Sequence, residues 1–239
     1  MLCVCLALAA IPASAQLDRI LKGRGDGDNS KTASGLKEAL SVGARETVNL
    51  TGHVDGYLKN EAIKILVPEK MRTLEKSLRT AGMGSQIDEF EVSMNRAAEK
   101  AAPAALPIFQ DAIRQMTFED ARGILSGGNT AATQYLKSQT GTQLKAAFRP
   151  VVESAMDETG VVKRYRELTG GSGGGLSSLA GSLSALAGRG NLAGFDINDY
   201  VVTKALDGLF FVLGQQEQKI RTNPAAQVTP LLKEVFGKY

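Results

Sequence analysis

The chain has 239 residues, of which 43% are hydrophobic, 22% charged and 5% aromatic. That balance excludes wholesale disorder, a collagen-like fibre and a multi-span membrane protein, and the length suits one large domain or two small ones. Twenty-eight Lys and Arg against 25 Asp and Glu leave a formal net charge of +3, and a single His, two Cys and no Trp complete a sparse catalytic inventory. The weak positive excess, the mixing of signs along each periodic stretch and the shortage of aromatic platforms argue against a nucleic-acid partner.

The N-terminal end reads as an address. Leu2 to Ala10 is an apolar run, followed by Ile11-Pro12-Ala13-Ser14-Ala15 and then Gln16. Small side chains at Ala13 and Ala15 fit the A-x-A junction that signal peptidase accepts, so residues 1–15 are expected to be a cleaved signal peptide and residues 16–239 a single all-α domain. Cys3 and Cys5 lie too early in the run, without the small residues of a lipidation site before them, so the expected location is periplasmic and the protein is not expected to be a lipoprotein. Removal of the leader takes away both cysteines, and with them any disulfide, thiolate nucleophile or Cys-based metal site. No later segment reaches the roughly eighteen apolar residues of a membrane span. The nearest, Tyr200 to Leu213, is interrupted by Lys204 and Asp207.

Beyond the leader almost every periodic stretch repeats at 3.6. Leu36, Leu40, Gly43, Thr47 and Leu50 form the stripe of a first helix. Pro68 is placed to open a second at its first helical position, with Met71, Leu74 and Leu78 as its apolar face and Gly82 as its left-handed stop. Ser85-Gln86-Ile87-Asp88 has the form of a capping box, followed by Ile87, Phe90, Met94, Ala97 and Ala101. Pro103 and Pro107 then interrupt or kink the pattern, which resumes as Leu106, Phe109, Ile113 and Met116. Thr117-Phe118-Glu119-Asp120 is a second capping signature, for a short helix ending at Ser126-Gly127-Gly128. Asn129 or Thr130 is expected to cap the next helix, around Tyr135 and Leu136. Thr140-Gly141-Thr142-Gln143 should open another, striped by Leu144, Phe148, Val151, Val152, Ala155 and Met156, with a kink or fresh start at Pro150. Val161, Val162, Tyr165 and Leu168 come next.

Gly170 to Gly194 holds nine of the 26 glycines and five serines, a composition that predicts a flexible surface loop. Within it Leu176, Leu179, Leu183 and Leu186 recur at helical spacing, the pattern of a segment that adsorbs to lipid, and any membrane contact is expected only through Leu176–Leu186. Asp196 should then cap a central helix, apolar around most of its girth through Ile197, Val201, Val202, Leu206, Leu209, Phe210, Val212 and Leu213. Asn223-Pro224 precedes a terminal helix with Val228, Leu231, Leu232, Val235 and Phe236. The one strand-like run is Ile63-Lys64-Ile65-Leu66-Val67. The expected fold is therefore all-α, a bundle of short to medium helices with a Gly/Ser-rich loop before the last two.

Chemistry is scarce. His53, the lone imidazole, lies in a Gly-flanked turn without the Cys, second His or Ser-His-Asp partners that catalysis or metal binding requires. Phosphate-binding loops, dinucleotide fingerprints and zinc or EF-hand signatures are missing from the sequence, so no cofactor and no metal is expected. Catalysis by two carboxylates needs only a pair of acids astride a bond, which keeps a cell-wall glycan hydrolase as an alternative, with Glu99, Asp111, Asp120, Glu153 and Asp157 available. The densest polar cluster is Asn95, Arg96 and Glu99 on an Ala-rich helix, with Asp111 and Arg114 beyond two prolines. Arg96–Glu99 and Asp111–Arg114 are each three apart, within pairing reach. The cluster suits either a network locking two helices or a pocket in which a guanidinium grips a small anionic ligand or envelope component.

Several separated motifs resemble one family. Pro68-Glu69-Lys70 with Leu78-Arg79, Ser93-Met94-Asn95-Arg96-Ala97-Ala98-Glu99, Ile108-Phe109 through Ala112-Ile113 and Met116, Asp120-Ala121, Ile124-Leu125, Ala131-Ala132-Thr133-Gln134-Tyr135, and Tyr200-Val201 with Ala205-Leu206-Asp207-Gly208-Leu209-Phe210 are similar, in that order, to the bacterial envelope family called domain of unknown function 4197. The resemblance implies an exported, mostly helical protein of Gram-negative bacteria and supplies no activity and no catalytic residues. Gly170 to Gly194 departs from it, being longer and richer in Gly. Taken together, the sequence predicts a periplasmic, non-catalytic binding or envelope-interaction module, with lipid-surface binding as a further alternative.

Overall fold

The computed structural model describes residues 13–158 and 195–222, with side chains from Thr32 onward. Helices dominate and no strand occurs among the described residues. In chain order they are α1 (Ala13–Thr51), α2 (Arg72–Thr80), α3 (Gly84–Ala101), α4 (Ala105–Gln115), α5 (Phe118–Leu125), α6 (Ala131–Glu158) and α7 (Ile197–Thr222), with single 3₁₀ turns at Glu69–Met71 and Ala102–Ala104. The stretches expected at Val161–Leu168, Gly170–Gly194 and beyond Asn223, and the lipid-adsorbing reading of Leu176–Leu186, lie outside the described residues.

α1 buries Leu36, Ala39, Leu40, Ala44 and Val48. Leu50, expected on the same stripe, is exposed instead. Thr47 and Thr51 carry the buried face to the helix end, each hydroxyl donating to the carbonyl four residues earlier at 2.7 Å, which is how a buried hydroxyl on a helix avoids an unmet donor. Pro68 sits one step outside its expected place. Its extended backbone (ψ 140°) makes it the residue before the 3₁₀ turn, and α2 starts only at Arg72. Gly82 does end that unit in the left-handed region, at φ +78°, where a side chain would add strain.

The capping box expected at Ser85 does not form. α3 begins one residue earlier, at Gly84, without a side-chain cap, and Asp88 pairs with Arg79 of α2 at 2.9 Å. The box at Thr117 does form: Thr117 Oγ1 accepts from the Asp120 N–H, and the Asp120 carboxylate accepts from the Thr117 N–H. Pro103 falls in the 3₁₀ turn that joins α3 to α4. α6 is one helix of 28 residues running through both Thr140–Gln143 and Pro150. Thr140 turns its hydroxyl back to the Leu136 carbonyl at 2.6 Å and stays in the buried stripe with Leu144, Phe148, Val152, Ala155 and Met156. Pro150 lies on the exposed side, where water can satisfy the carbonyl that the missing N–H leaves open.

α7 is the central helix, as its girth of apolar residues predicts. Asp196 caps it, accepting from the N–H groups of Asn198 and Asp199. α6 and α1 make the broadest contacts with it, α3 packs across α6, and α4 fills the space between α1 and α6. One continuous core results, with Phe109 and Phe210 meeting edge to face at 5.9 Å between centroids. Ala97, Ala98, Ala101, Ala102 and Ala105 are fully buried, and their small side chains let the α3–α4 unit approach its neighbours closely.

Candidate functional site

α1 and the next helical turn are joined by residues 52–68, an irregular stretch held to the bundle from two sides. On the α7 side, Tyr57 is fully buried and its hydroxyl donates to the Ala205 carbonyl at 2.6 Å. Burial, reinforced by the charge of Glu99, pushes the Tyr57 hydroxyl far above its ordinary value, so it remains a donor. Gly208 is required opposite it, because a Cβ there would stand 2.7 Å from the Tyr57 ring and 3.0 Å from Ile63.

On the α3 side the grip is polar. Glu99 Oε1 accepts from the backbone N–H groups of Tyr57 and Leu58, at 3.0 and 3.1 Å. Its Oε2 accepts from Arg96 at 2.6 Å. One turn earlier, Asn95 treats the extended run at Ile65 as a neighbouring strand would: Oδ1 accepts from the Ile65 N–H and Nδ2 donates to the Ile65 carbonyl, both at 2.9 Å. The strand-like run expected at Ile63–Val67 thus begins in a turn at Ile63 and forms no strand, with Ile63, Ile65 and Val67 buried and Leu66 exposed. Asn95 and Glu99 are themselves buried, and each binds backbone groups of this connection.

Arg96 carries the grip to the surface. Its side chain is 32% exposed and its second donor reaches Asp55 at 2.6 Å. Asp55 also pairs with Lys59 at 2.8 Å, and it is the only non-glycine residue with positive φ among those described, at +73°. Lys59 first and Arg96 second hold the Asp55 carboxyl below its ordinary range, while Glu99 and then Asp55 keep Arg96 firmly charged. Beside them Val54 is 72% exposed, and His53 is exposed with Nδ1 donating to the Val54 carbonyl at 2.7 Å. The geometry is a fixed surface turn with a bare apolar tip and a mixed-charge rim.

The expected cluster is therefore split. Asn95, Arg96 and Glu99 come together on residues 52–68. Asp111 and Arg114 pair with each other on α4, and the Arg114 carbonyl accepts from Lys37 of α1 at 3.0 Å. Among the described residues no hydrogen bond or ion pair links the two groups. Of the remaining carboxylates considered for acid–base work, Asp120 caps α5, Glu153 faces Arg149 at 3.3 Å, and Asp157 lies four residues beyond Glu153 on α6.

Sequence reading missed a second buried carboxylate. Glu217 of α7 accepts from the N–H groups of Ala132 and Thr133 and from the Thr133 hydroxyl, at 3.0, 2.8 and 2.8 Å. It caps the start of α6 from another helix, in place of Asn129 or Thr130, and Arg221 pairs with it at 2.9 Å. Its i, i+4 spacing to Arg221 is ordinary on any helix surface, so only the fold distinguishes it. Also missed was the tie between α6 and the start of α7, where Arg149 reaches Asp196 and Asp199 and Lys145 reaches Asp199.

Among the described residues no helix is long and apolar enough to cross a membrane, and no group of three or more His, Cys, Asp or Glu is placed to hold a metal ion. No curated protein and no solved structure matches the chain. A family profile does, over residues 26–237. That span takes in α3 with its Asn95-Arg96-Glu99 grip, residues 52–68 and the whole of α7, and on that match the chain belongs to the family described as protein of unknown function DUF4197.

Proposed function

We propose that the protein is an exported, non-catalytic binding module of the Gram-negative envelope, and that it engages an anionic group of its ligand through Arg96 and the turn around Val54. The observation that carries this reading is the fixed connection at residues 52–68. Irregular connections of this length inside a compact domain are uncommon and are usually functional. Here two buried polar side chains, Asn95 and Glu99, are committed to holding one. What they hold displays an apolar residue 72% exposed, beside the 32% exposed guanidinium of Arg96 on α3, a pairing suited to recognising a partner rather than to filling a core.

Two further points support it. Glu99 and Glu217, the buried carboxylates, are occupied by backbone N–H groups, which is the signature of positioning and not of proton transfer. The family match begins at residue 26, leaving residues 1–25 outside the family body, as an export leader would be.

Native mass spectrometry of protein released from the periplasm of a Gram-negative host tests the proposal. The expected species begins at Gln16 and carries a small anionic adduct, which Arg96→Ala loses and Arg96→Lys partly keeps. A bare chain with its leader intact in the cytoplasm would overturn it. So would an adduct unaffected by either substitution.

A further inference from the structure

We propose that Asp55–Gly56 is a guarded isomerisation site, at which Arg96 and Lys59 hold off the spontaneous conversion of Asp55 to isoaspartate. An aspartate followed by glycine invites this reaction because no side chain shields the next backbone nitrogen. The Gly56 nitrogen attacks Asp55 Cγ, forming an N–C bond, and the carboxyl oxygen leaves as water with the amide proton. Solvent water then opens the ring at its main-chain carbonyl, and the backbone runs on through the side chain, one methylene longer.

The reaction needs a neutral carboxyl and a free N–H, and the structure withholds both. Arg96 at 2.6 Å and Lys59 at 2.8 Å keep the carboxyl ionised, the form with no leaving group to expel. The Gly56 N–H donates to the His53 carbonyl at 3.0 Å, and Gly56 is buried. The guard matters because the adjoining residues are anchors. Tyr57 and Leu58, immediately after Gly56, present their N–H groups to Glu99, and an added methylene would carry both out of register. Asp207–Gly208 provides an internal contrast, since the same dipeptide there lies inside α7.

The test is prolonged incubation of the full chain, Lys59→Ala and Arg96→Ala in warm neutral buffer, followed by digestion with a protease that cuts before aspartate but not before isoaspartate. Isoaspartate at position 55 should accumulate at least about threefold faster in both variants than in the parent, in line with the larger neutral fraction of a carboxyl that keeps one of its two cations. Position 207 should stay unchanged. Equal rates at position 55 in all three proteins would overturn the proposal, as would a parent rate matching that of an unstructured peptide spanning residues 52–58. Should Arg96→Ala unfold the chain, position 207 would react too. Lys59→Ala then decides, because the Lys59 side chain is 76% exposed and is paired with Asp55.

Discussion

Two buried glutamates do the same chemistry at two places and with different consequences. Glu217 joins helix to helix: it takes the first free N–H groups of α6 and is closed off by Arg221, whose side chain is only 13% exposed. Glu99 joins helix to loop, and its Arg96 is 32% exposed and goes on to Asp55. A helix start offers a fixed row of N–H groups and a favourable dipole, so a carboxylate there completes a joint. A loop offers no such row. Its N–H groups must be brought into line, and the cost of doing so at Asp55 shows as the positive φ. The first arrangement makes the bundle; the second presents a surface.

That contrast is broken most sharply by removing each carboxylate. Glu217→Ala strands two N–H groups at a buried helix start and removes the Glu217–Arg221 pair, and a loss of about 3–5 kcal/mol in urea unfolding is expected. Glu99→Ala should cost somewhat less, about 2–4 kcal/mol, because residues 52–58 can relax toward water. Hydrogen exchange separates the two. Glu99→Ala is expected to open amides near Tyr57 and Leu58 first, and Glu217→Ala to lower protection across α6 and α7 together. Identical exchange patterns would mean that the loop is as integral to the bundle as its helices.

How much of this was legible in the sequence depends on how local each interaction is. The Thr117–Asp120 box, the Asp196 cap and the left-handed Gly82 each depend on neighbours within a few residues, and each was readable. The all-α class was readable because apolar period survives any choice of partner. Asn95, Arg96 and Glu99 stood out by composition, but their targets, Ile65, Asp55, Tyr57 and Leu58, lie 30 to 42 residues away. Glu217 acts across 85 residues. Spacing alone carries no trace of such pairings. The mistaken starts at Ser85 and Thr140 share one cause: a Ser or Thr with an acid or amide downstream fits a cap or a position inside the helix equally well, and α3 begins one residue before Ser85 while Thr140 is buried within α6.

Gly208 offers a finer probe of the loop's seat on α7. Gly208→Ala improves helix propensity by about 1 kcal/mol, yet its Cβ would press on Tyr57 at 2.7 Å and Ile63 at 3.0 Å. Overpacking of this kind usually costs about 1–3 kcal/mol, so a net loss of about 1 kcal/mol is expected in chemical denaturation. A gain would mean that the loop lifts freely from α7. Thr117→Ala removes one half of a reciprocal cap and should cost about 1 kcal/mol. Arg114→Ala, whose side chain is 72% exposed in its pair with Asp111, should change stability by less than about 0.5 kcal/mol. An effect there as large as that of Thr117→Ala would restore α4 to the candidate site.

The smallest effect bears most directly on the difference between the two glutamates. Asp55 is held below the ordinary aspartate value of 3.8 by Lys59 first and Arg96 second. A depressed carboxylate contributes stability that is present above its unfolded value and is lost as the pH falls through the folded one. Thermal unfolding measured from about pH 6 to about pH 3 should therefore show the parent losing stability more steeply than Asp55→Asn, which keeps a hydrogen-bonding shape but cannot titrate. The gap between the two curves should narrow with acid. At neutral pH Asp55→Asn should sit slightly lower, because Arg96 then keeps Glu99 alone as its charged partner. Parallel curves would place the anchoring of the turn wholly in Glu99 and Asn95, leaving the Arg96–Asp55 pair free to open for a ligand.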